Sequence, residues 1–261
     1  NEGLASKFVD GRITDESIAE RLRKSLQAAR DLQVIAEQKG CVIKEPFTGL
    51  SFDGCFTVVG PTEDYYEELI PQFDGMPAQR SALAYVADRV AEGFRVLKKM
   101  FASWGVDQID DEDTTSARNN SSVISVLQID GRNILLTADS GITALDAALD
   151  YVESKTGPLT YNVVQIPHHG SRRNVGPSVL NRIIGSPVVE GTSGDKVGAC
   201  ISAAPKGAPK HPHQAVINAV IHRGGTVSVT RGITKSYNAV ARPGWVTSSS
   251  EEYGFVYEAE E

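Results

Sequence analysis

Two adjacent histidines, His168 and His169, stand in the stretch IPHHGSRRN. The chain has only five histidines in 261 residues, so this pair is a first candidate for metal or phosphate chemistry. The run before it, YNVVQIP, is typical of a buried strand, and Gly170 permits a sharp turn after it. Adjacent side chains of an extended segment point to opposite faces, so we expect only one of the two histidines to enter a site directly.

A carboxylate follows a second apolar strand. The stretch NILLTAD ends in Asp139, and the pattern after Ser140 and Gly141 predicts a helix. Because α/β proteins build their sites at the carboxyl edge of the sheet, Asp139 is a candidate ligand. The alternative is that Asp139 only caps the helix that follows it. The residues alone leave both interpretations open.

A third group of candidates lies in KHPHQAV, where His211 and His213 precede a predicted helix. Pro212 is expected at the first helical position, and His222, inside the same helix, is expected to be structural or exposed. One aspartate with two or three histidines is an acceptable ligand set for zinc or another divalent ion. It is incomplete for a two-metal hydrolytic centre, which needs more ligands.

The elements around these residues alternate between strands and helices, which predicts a single α/β domain over residues 1–261. Before the candidate residues, the sequence predicts a helix from the Thr14 cap to about Lys39, strands in CVIKEP and CFTVVG, and a Thr62-capped helix in TEDYYEELI. A helical insertion follows at about 77–104, with its helix at about 78–103, and then a mobile, solvated acidic loop at about 107–118. The last of these elements is a hairpin of SVISVLQID with NILLTAD. Helices in ITALDAALDYVESKTG, GPSVLNRIIG and HQAVINAVIHRG then alternate with strands in YNVVQIP, GACISAAP and GTVSVTRG.

Composition restricts the class of protein. Hydrophobic residues make up 41% of the chain, enough for a core, and no apolar run is long enough to span a membrane. The N-terminal stretch lacks the pattern of a signal peptide. Three widely spaced cysteines, Cys41, Cys55 and Cys200, are expected to be reduced thiols. We therefore expect a cytoplasmic protein with no membrane partner.

Charge is distributed unevenly along the chain. The net charge is −7, but residues 161–242 hold ten Lys and Arg against Glu190 and Asp195, a local net charge of +8. The rest of the chain therefore carries −15. A basic region that contains the paired histidines could face a polyanion such as DNA. The alternative is that these charges are scattered over a solvated surface.

Several motifs, in order, resemble the second half of a metallo-β-lactamase-fold hydrolase. The similarity is greatest to the soluble hydrolase domain of ComEC-type competence proteins and their stand-alone relatives, and it covers roughly residues 15–240. The family's N-x-x-S-V element falls here on Asn119 to Val123, and the aspartate of its L-L-T-G-D element falls on Asp139. Its v-x-H-H-G-S element falls on His168 to Ser171, its H-P element on His211-Pro212, and its strand ending in Thr ends here at Thr230.

Two departures from the family pattern stand out. Ala138 replaces the glycine before the aspartate. The family's H-x-H-x-D-H motif, which supplies most ligands to both metals, is not in this sequence, because HPHQAV has Ala215 and Val216 where Asp and His are needed. The resemblance therefore implies an αββα sandwich that lacks its N-terminal strands, with the motif expected before Asn1.

The resemblance also implies roles for the candidate residues. Asp139 would bridge two divalent metal ions, zinc or alternatively manganese, and one of His168 and His169 would be a terminal ligand. His211 would act in catalysis, either by supporting the ligands or by contacting the substrate phosphate. Such a pair of ions polarises a phosphoryl oxygen and generates hydroxide at neutral pH.

Substrate contacts are expected beside the metal ligands. Arg172 and Arg173 follow the histidine turn, and a guanidinium pairs well with phosphate oxygens. Ser171 and Asn119 belong to the same expected substrate-binding set. The alternative for the two arginines is ordinary surface exposure.

These observations predict a metal-dependent phosphodiesterase, namely a nuclease acting on DNA. One alternative is a hydrolase of a small ester, lactone or nucleotide, since this fold hosts many reactions. Another is a non-catalytic scaffold or sensor subunit of a larger assembly, for example one in antiviral defence. In the enzymatic case, a segment before Asn1 or a second chain is expected to supply the remaining ligands.

Overall fold

The computed structural model describes residues 13–76, 106–192, 197–205, 211–236 and 242–256, together with residues 3, 5, 8, 104 and 240. The chain divides into two compact units, Asn1–Pro46 with Thr62–Lys98 and Phe47–Pro61 with Lys99–Glu261. The helix predicted at about 78–103 lies outside the described residues.

Helices make up the described regular structure of the first unit. They are α1 (Asp15–Ser25), α2 (Gln27–Gln38) and α3 (Glu63–Leu69), with a 3-10 turn at Ile70–Gln72. Both predicted caps are confirmed. The Thr14 side chain accepts a hydrogen bond from the Ser17 amide while the Ser17 side chain accepts one from the Thr14 amide, and Thr62 caps α3.

The prediction of one continuous helix up to Lys39 was wrong. The backbone leaves the helical range at Leu26, with φ −114° and ψ 29°, and this residue separates α1 from α2. No glycine or proline marks the break, so the local sequence gives no signal of it. No residue of α2 is buried, and core packing therefore does not hold α2 in line with α1.

The second unit contains a mixed seven-stranded sheet, which confirms the α/β class. Its strands are β1 (Ser51–Phe52), β2 (Phe56–Gly60), β3 (Ile124–Ile129), β4 (Arg132–Leu136), β5 (Val163–Gln165), β6 (Gly198–Ile201) and β7 (Thr226–Val229). They lie in sequence order, antiparallel from β1 to β4 and parallel from β4 to β7. The predicted β3–β4 hairpin is confirmed, and its turn lies at Asp130 and Gly131.

Helices connect the parallel strands. They are α5 (Ile142–Thr156), α6 (Pro177–Ile183) and α7 (Gln214–His222), and a short helix, α4 (Ala117–Asn120), precedes β3. Their apolar faces are buried with those of the strands, as Leu145, Leu180, Val216 and Ile201 illustrate. Each such side chain contributes about 1.5–3 kcal/mol when fully buried. This packing fixes the parallel strand ends on which the site is built.

The strand predicted in CVIKEP was also wrong. Residues 41–46 have no regular structure, and the second strand of this region is β1, which pairs with β2. Val42 and Ile43 are exposed, so an extended conformation there would gain no buried face.

Hydrogen bonds anchor the acidic loop to two helices. Asp110, Asp111 and Glu112 are exposed, as expected of a solvated loop, and the mobility of the loop stays a prediction. An oxygen of Asp113 accepts the Thr143 amide in the first turn of α5 at 2.8 Å. Asp111 accepts both the amide and the hydroxyl of Ser178 in α6, at 2.9 and 2.6 Å. Carboxylates are stabilised at helix N-termini by the free N–H groups and the helix dipole.

Among the described residues, no helix is both long enough and apolar enough to cross a bilayer.

Candidate functional site

Three parallel strands end at the same edge of the sheet. Asp139 follows β4, the two adjacent histidines follow β5, and Ser202 follows β6. His211 lies in the segment between β6 and α7. The carboxyl ends of parallel strands meet at one edge, and the candidate side chains gather there as expected.

Asp139 lies in a turn between β4 and α5. The turn is closed by a hydrogen bond from the Ser140 amide to the Thr137 carbonyl, and Ala138 takes the left-handed conformation with φ 49°. The N-cap of α5 is Gly141, which has no side chain to cap with, so the alternative of Asp139 as a helix cap was wrong. The Asp139 side chain is 48% exposed and available to a ligand.

The two histidines lie on a tight left-handed turn, not on an extended strand end. His168 has φ 45°, His169 has φ 58° and Gly170 has φ 82°. Successive side chains therefore do not alternate between faces, and the two rings lie 5.7 Å apart at their centroids. The His168 amide donates to the carbonyl of Ala138, which joins this turn to the Asp139 turn. The expectation of opposite faces was wrong because non-glycine residues here adopt positive φ.

Gly170 is required by a close approach as well as by its backbone. A Cβ atom at this position would lie 2.8 Å from Cβ of Pro212 and 3.3 Å from Cδ1 of Ile201. The carbonyl of Gly170 accepts the His213 amide at 3.0 Å. The turn after β5 and the segment before α7 are thereby held together.

His168 faces Asp139. Its Nδ1 atom lies 3.5 Å from Oδ1 of Asp139, which is long for a hydrogen bond. The same Nδ1 atom is buried and has no hydrogen-bond partner within the described part of the chain. A buried nitrogen beside a half-exposed carboxylate is an arrangement that a shared cation would satisfy.

His169 is oriented differently. Its Nδ1 atom lies 2.8 Å from the carbonyl of Ser202, and because a carbonyl only accepts, Nδ1 must carry the proton. The other ring nitrogen, Nε2, then holds a lone pair on an exposed side chain. This is the tautomer in which a histidine binds metal through Nε2.

His211 is brought beside His168, with ring centroids 5.8 Å apart. It precedes a cis bond to Pro212. Pro212 does not occupy the first helical position as predicted, because the N-cap of α7 is His213, whose Nδ1 accepts the Ala215 amide. His222 was expected to be either structural or exposed. It is buried against Trp104, which confirms the structural alternative.

The four residues expected to contact substrate are placed unequally. Ser171 is buried, and its hydroxyl accepts the amide of Arg173, so it stabilises the turn. Arg172 is half-buried and Arg173 exposed, on the same stretch as the histidine turn. Asn119 donates to the hydroxyl of Thr115 at 2.8 Å.

The neighbouring asparagine, Asn120, reaches the site turn instead. Its side-chain oxygen accepts the Gly141 amide at 3.0 Å, and its nitrogen donates to Asp113 at 3.1 Å. A Cβ on Gly141 would lie 2.4 Å from that same oxygen, so this position requires glycine. The sequence motif NNSS contains both asparagines, and nothing in it distinguishes the buried one.

Asn174 is a further residue that the sequence reasoning left without a role. Its side chain is completely buried, and its amide nitrogen lies 2.9 Å from the carbonyl of Asp139, 3.2 Å from that of Ser140 and 3.0 Å from the Thr115 hydroxyl. All three are groups that can accept, so its two hydrogens are shared among them. Its place at the end of IPHHGSRRN was the only available signal.

A groove of about 430 Å³ lies elsewhere in the second unit, between α5 and α6. Asp111, Asp146 and Asp150 line it together with Thr143 and Ser178. Its carboxylates would repel a polyanion, so we do not include it in the candidate site.

The residues present fit part of a metal centre. Asp139 and His168 supply one oxygen and one nitrogen donor toward a common point, a donor pair suited to zinc. No group of three or more His, Cys, Asp or Glu side chains within the described residues is arranged to hold a metal ion. A complete site therefore needs donors from elsewhere.

No protein-family model, curated protein or solved structure matches this chain. The resemblance to metallo-β-lactamase-fold hydrolases accordingly rests on the motifs alone.

Proposed function

We propose that this protein is a metal-dependent phosphodiesterase of the metallo-β-lactamase fold, acting on DNA. The observation that carries the proposal is the pairing of Asp139 with His168 at the carboxyl edge of the parallel strands, 3.5 Å apart. The rings of His169 and His211 lie beside that of His168 at the same edge. A carboxylate oxygen and a histidine nitrogen are two of the donor types that metal-dependent hydrolases use.

In the proposed site, Asp139 and His168 are the metal ligands that this chain supplies. Two divalent ions bound there would supply Lewis acidity and lower the pKa of water. The hydrogen bond from His169 to Ser202 keeps the His169 ring oriented with Nε2 directed away from the carbonyl. Either a segment before Asn1 or a second chain contributes the other ligands.

The substrate side is assigned to the residues that follow the histidine turn. Arg172 and Arg173 would bind phosphodiester oxygens, for which guanidinium groups are well suited. Of the ten Lys and Arg in residues 161–242, Arg182, Arg223 and Arg231 pair with carboxylates outside that range, so Arg172 and Arg173 carry the case for an anionic substrate. His211, in contact with His168, would act on the substrate phosphate or support the ligands.

A second candidate function is a non-catalytic scaffold or sensor subunit of a larger assembly. The observation that favours it is the lack of any three-residue ligand group in the described ranges. The two candidates differ in metal binding and in DNA cleavage.

The test is cleavage of a labelled DNA oligonucleotide by the full-length gene product with zinc or manganese. We expect Asp139→Asn to lower the rate at least about 100-fold, because the carboxylate that would bridge the two metal ions is lost. The matched control is Asp130→Asn, an exposed residue in the β3–β4 turn that should leave the rate unchanged. Equal rates for the two variants would overturn the assignment of the site.

Substrate class is tested with the charge-reversing pair Arg172→Glu and Arg173→Glu. A nuclease should lose DNA affinity, and its salt dependence should weaken because two phosphate contacts are removed. If hydrolysis of a small ester is the activity found, and this pair leaves it unchanged, the enzyme is not a nuclease. A folded protein that binds no divalent ion and cleaves no DNA would leave only the non-catalytic candidate.

A further inference from the structure

We propose that the groove between α7 and the edge strand β7 is a binding site for extended peptides of the pattern acidic, any, aromatic, small. Residues 251–254 of this chain, Glu-Glu-Tyr-Gly, occupy it here. The expected ligand in trans is a partner protein that presents such a segment. The inference is independent of the proposed nuclease function.

Side-chain amides in the groove form hydrogen bonds with the backbone of the bound segment. Asn218 of α7 is buried, and its amide donates to the Gly254 carbonyl at 2.7 Å while its oxygen accepts the Gly254 amide at 3.0 Å. Gln214, one turn earlier, donates to the carbonyl of Glu252 at 3.1 Å and to Asn218 at 2.9 Å. A paired donor and acceptor that bond the C=O and the N–H of one residue can hold any extended chain that presents them.

The strand edge adds a contact of the kind seen when a peptide extends a sheet. The Glu251 amide donates to the Val227 carbonyl of β7 at 2.8 Å. Residues 251–256 are nevertheless not part of a strand, so most of the polar contacts come from side chains of α7. The segment is bound as a ligand would be.

Three positions of the segment provide specificity. Arg231 binds the Glu251 carboxylate through both of its terminal nitrogens, one of them at 3.0 Å. The Tyr253 ring lies 5.1 Å from the Trp104 ring. A Cβ on Gly254 would lie 3.3 Å from the Gln214 side chain, so the last position favours a small residue.

The connection to the rest of the chain permits exchange. Residues 242–250 are exposed and have no helix or strand, and they lead directly into the segment. A tether of this kind would hold its segment at an effective concentration on the order of millimolar, against which a ligand in trans must compete. The groove is therefore closed to weak competitors while the segment is docked.

The test uses full-length protein whose own segment cannot dock. Glu251→Lys, Tyr253→Ala and Gly254→Pro, combined, remove the carboxylate, the ring and the amide that the groove binds. The probe is a fluorescent synthetic peptide of residues 248–256, followed by anisotropy. We expect saturable binding to this variant, at least about 10-fold tighter than to the wild-type chain.

The matched control adds Asn218→Asp, which has the same shape but loses the donor and repels the Gly254 carbonyl. Affinity should then fall at least about 10-fold. Equal binding of a scrambled peptide, or an unchanged affinity with Asn218→Asp, would overturn the proposal.

A second measurement avoids reliance on the triple variant. A protease site replaces residues 244–247 in the exposed tether, and the protein is cut after folding. The labelled peptide should then displace the severed segment from a chain that stays folded. Unfolding after cleavage, or a severed segment that never exchanges, would show that the segment is an integral part of the core.

Discussion

The buried amide of Asn174 joins the two turns that carry the candidate metal ligands. It follows the histidine turn in sequence, and it donates to the carbonyls of Asp139 and Ser140 on the neighbouring turn. The Thr115 hydroxyl is its third acceptor. Because this side chain is completely buried, removing it would take its hydrogen bonds from the carbonyls of Asp139 and Ser140, while the Thr115 hydroxyl keeps the one from Asn119.

We predict that Asn174→Ala lowers the free energy of unfolding by about 1–3 kcal/mol, the cost of leaving buried polar groups unsatisfied. The matched control, Asn119→Ala, loses one hydrogen bond from a half-buried side chain and should cost less. Urea denaturation of both variants measures the difference. Equal stability of the two variants would contradict the role given to Asn174.

Residue types could be predicted at this site more readily than backbone conformations. Apolar strands followed by Asp139 and His168 are visible in the sequence, because a buried strand that ends in polar residues is a clear pattern. The positive φ of both histidines is not visible, since it depends on the contact between His168 and Ala138, distant in sequence. The role at the site turn was expected of Asn119, but Asn120 has it. Adjacent side chains on a helix point about 100° apart, and the sequence does not show which of the two faces the site.

At the scale of elements, the acidic loop holds the helices that follow the three parallel strand ends. Asp113 binds the first turn of α5, and Asp111 binds that of α6. Asp107 pairs with the buried Arg223 at the end of α7, at 3.0 and 2.7 Å. The loop therefore stabilises the elements on which the candidate site depends.

We predict that Asp111→Ala lowers the unfolding free energy by about 1 kcal/mol, as the loss of a helix cap does. Asp110→Ala is the matched control, because within the described ranges the Asp110 side chain accepts only the nearby Glu112 amide, and its loss should cost much less. Thermal unfolding of the two variants measures the difference. A smaller effect at position 111 than at 110 would contradict the capping role.

The pair of Asp107 and Arg223 predicts a loss of stability in acid. Burial alone would raise the pKa of Asp107, but the hydrogen bonds and charge of Arg223, with His222 beside them, lower it below its ordinary value. A carboxyl whose pKa is lower in the folded state stabilises the fold above its ordinary pKa, and this contribution is lost as pH falls.

The pKa of Tyr253 is raised by its burial and by the charges of Asp107 and Glu190.

The unfolding free energy should therefore decrease as the pH falls below about 4, the ordinary pKa of an aspartate. Denaturation from pH 6 to pH 2 measures this slope. In Asp107→Asn the slope should be smaller and the protein less stable at pH 6. The same slope in both proteins would contradict the prediction.

For the molecule as a whole, the α/β class and most elements of the second unit could be predicted from hydrophobic periodicity. The order and direction of the seven strands could not, because pairing depends on contacts distant in sequence. In the first unit, the break at Leu26 and the irregular residues 41–46 were missed, since both carry local patterns that tertiary packing does not reinforce. The net charge of +8 over residues 161–242 was counted from the sequence, but Arg182, Arg223 and Arg231 each pair with a carboxylate outside that range, a compensation that only the fold shows.

The central claim is that Asp139 and His168 bind one divalent ion together. The most direct measurement is a zinc titration of the protein followed by nitrogen NMR of the histidine side chains. We predict that the Nδ1 resonance of His168 changes on zinc addition, that His222 does not respond, and that Asp139→Asn weakens the response at least about 10-fold. An unresponsive His168, or a response that Asp139→Asn leaves intact, would contradict the account.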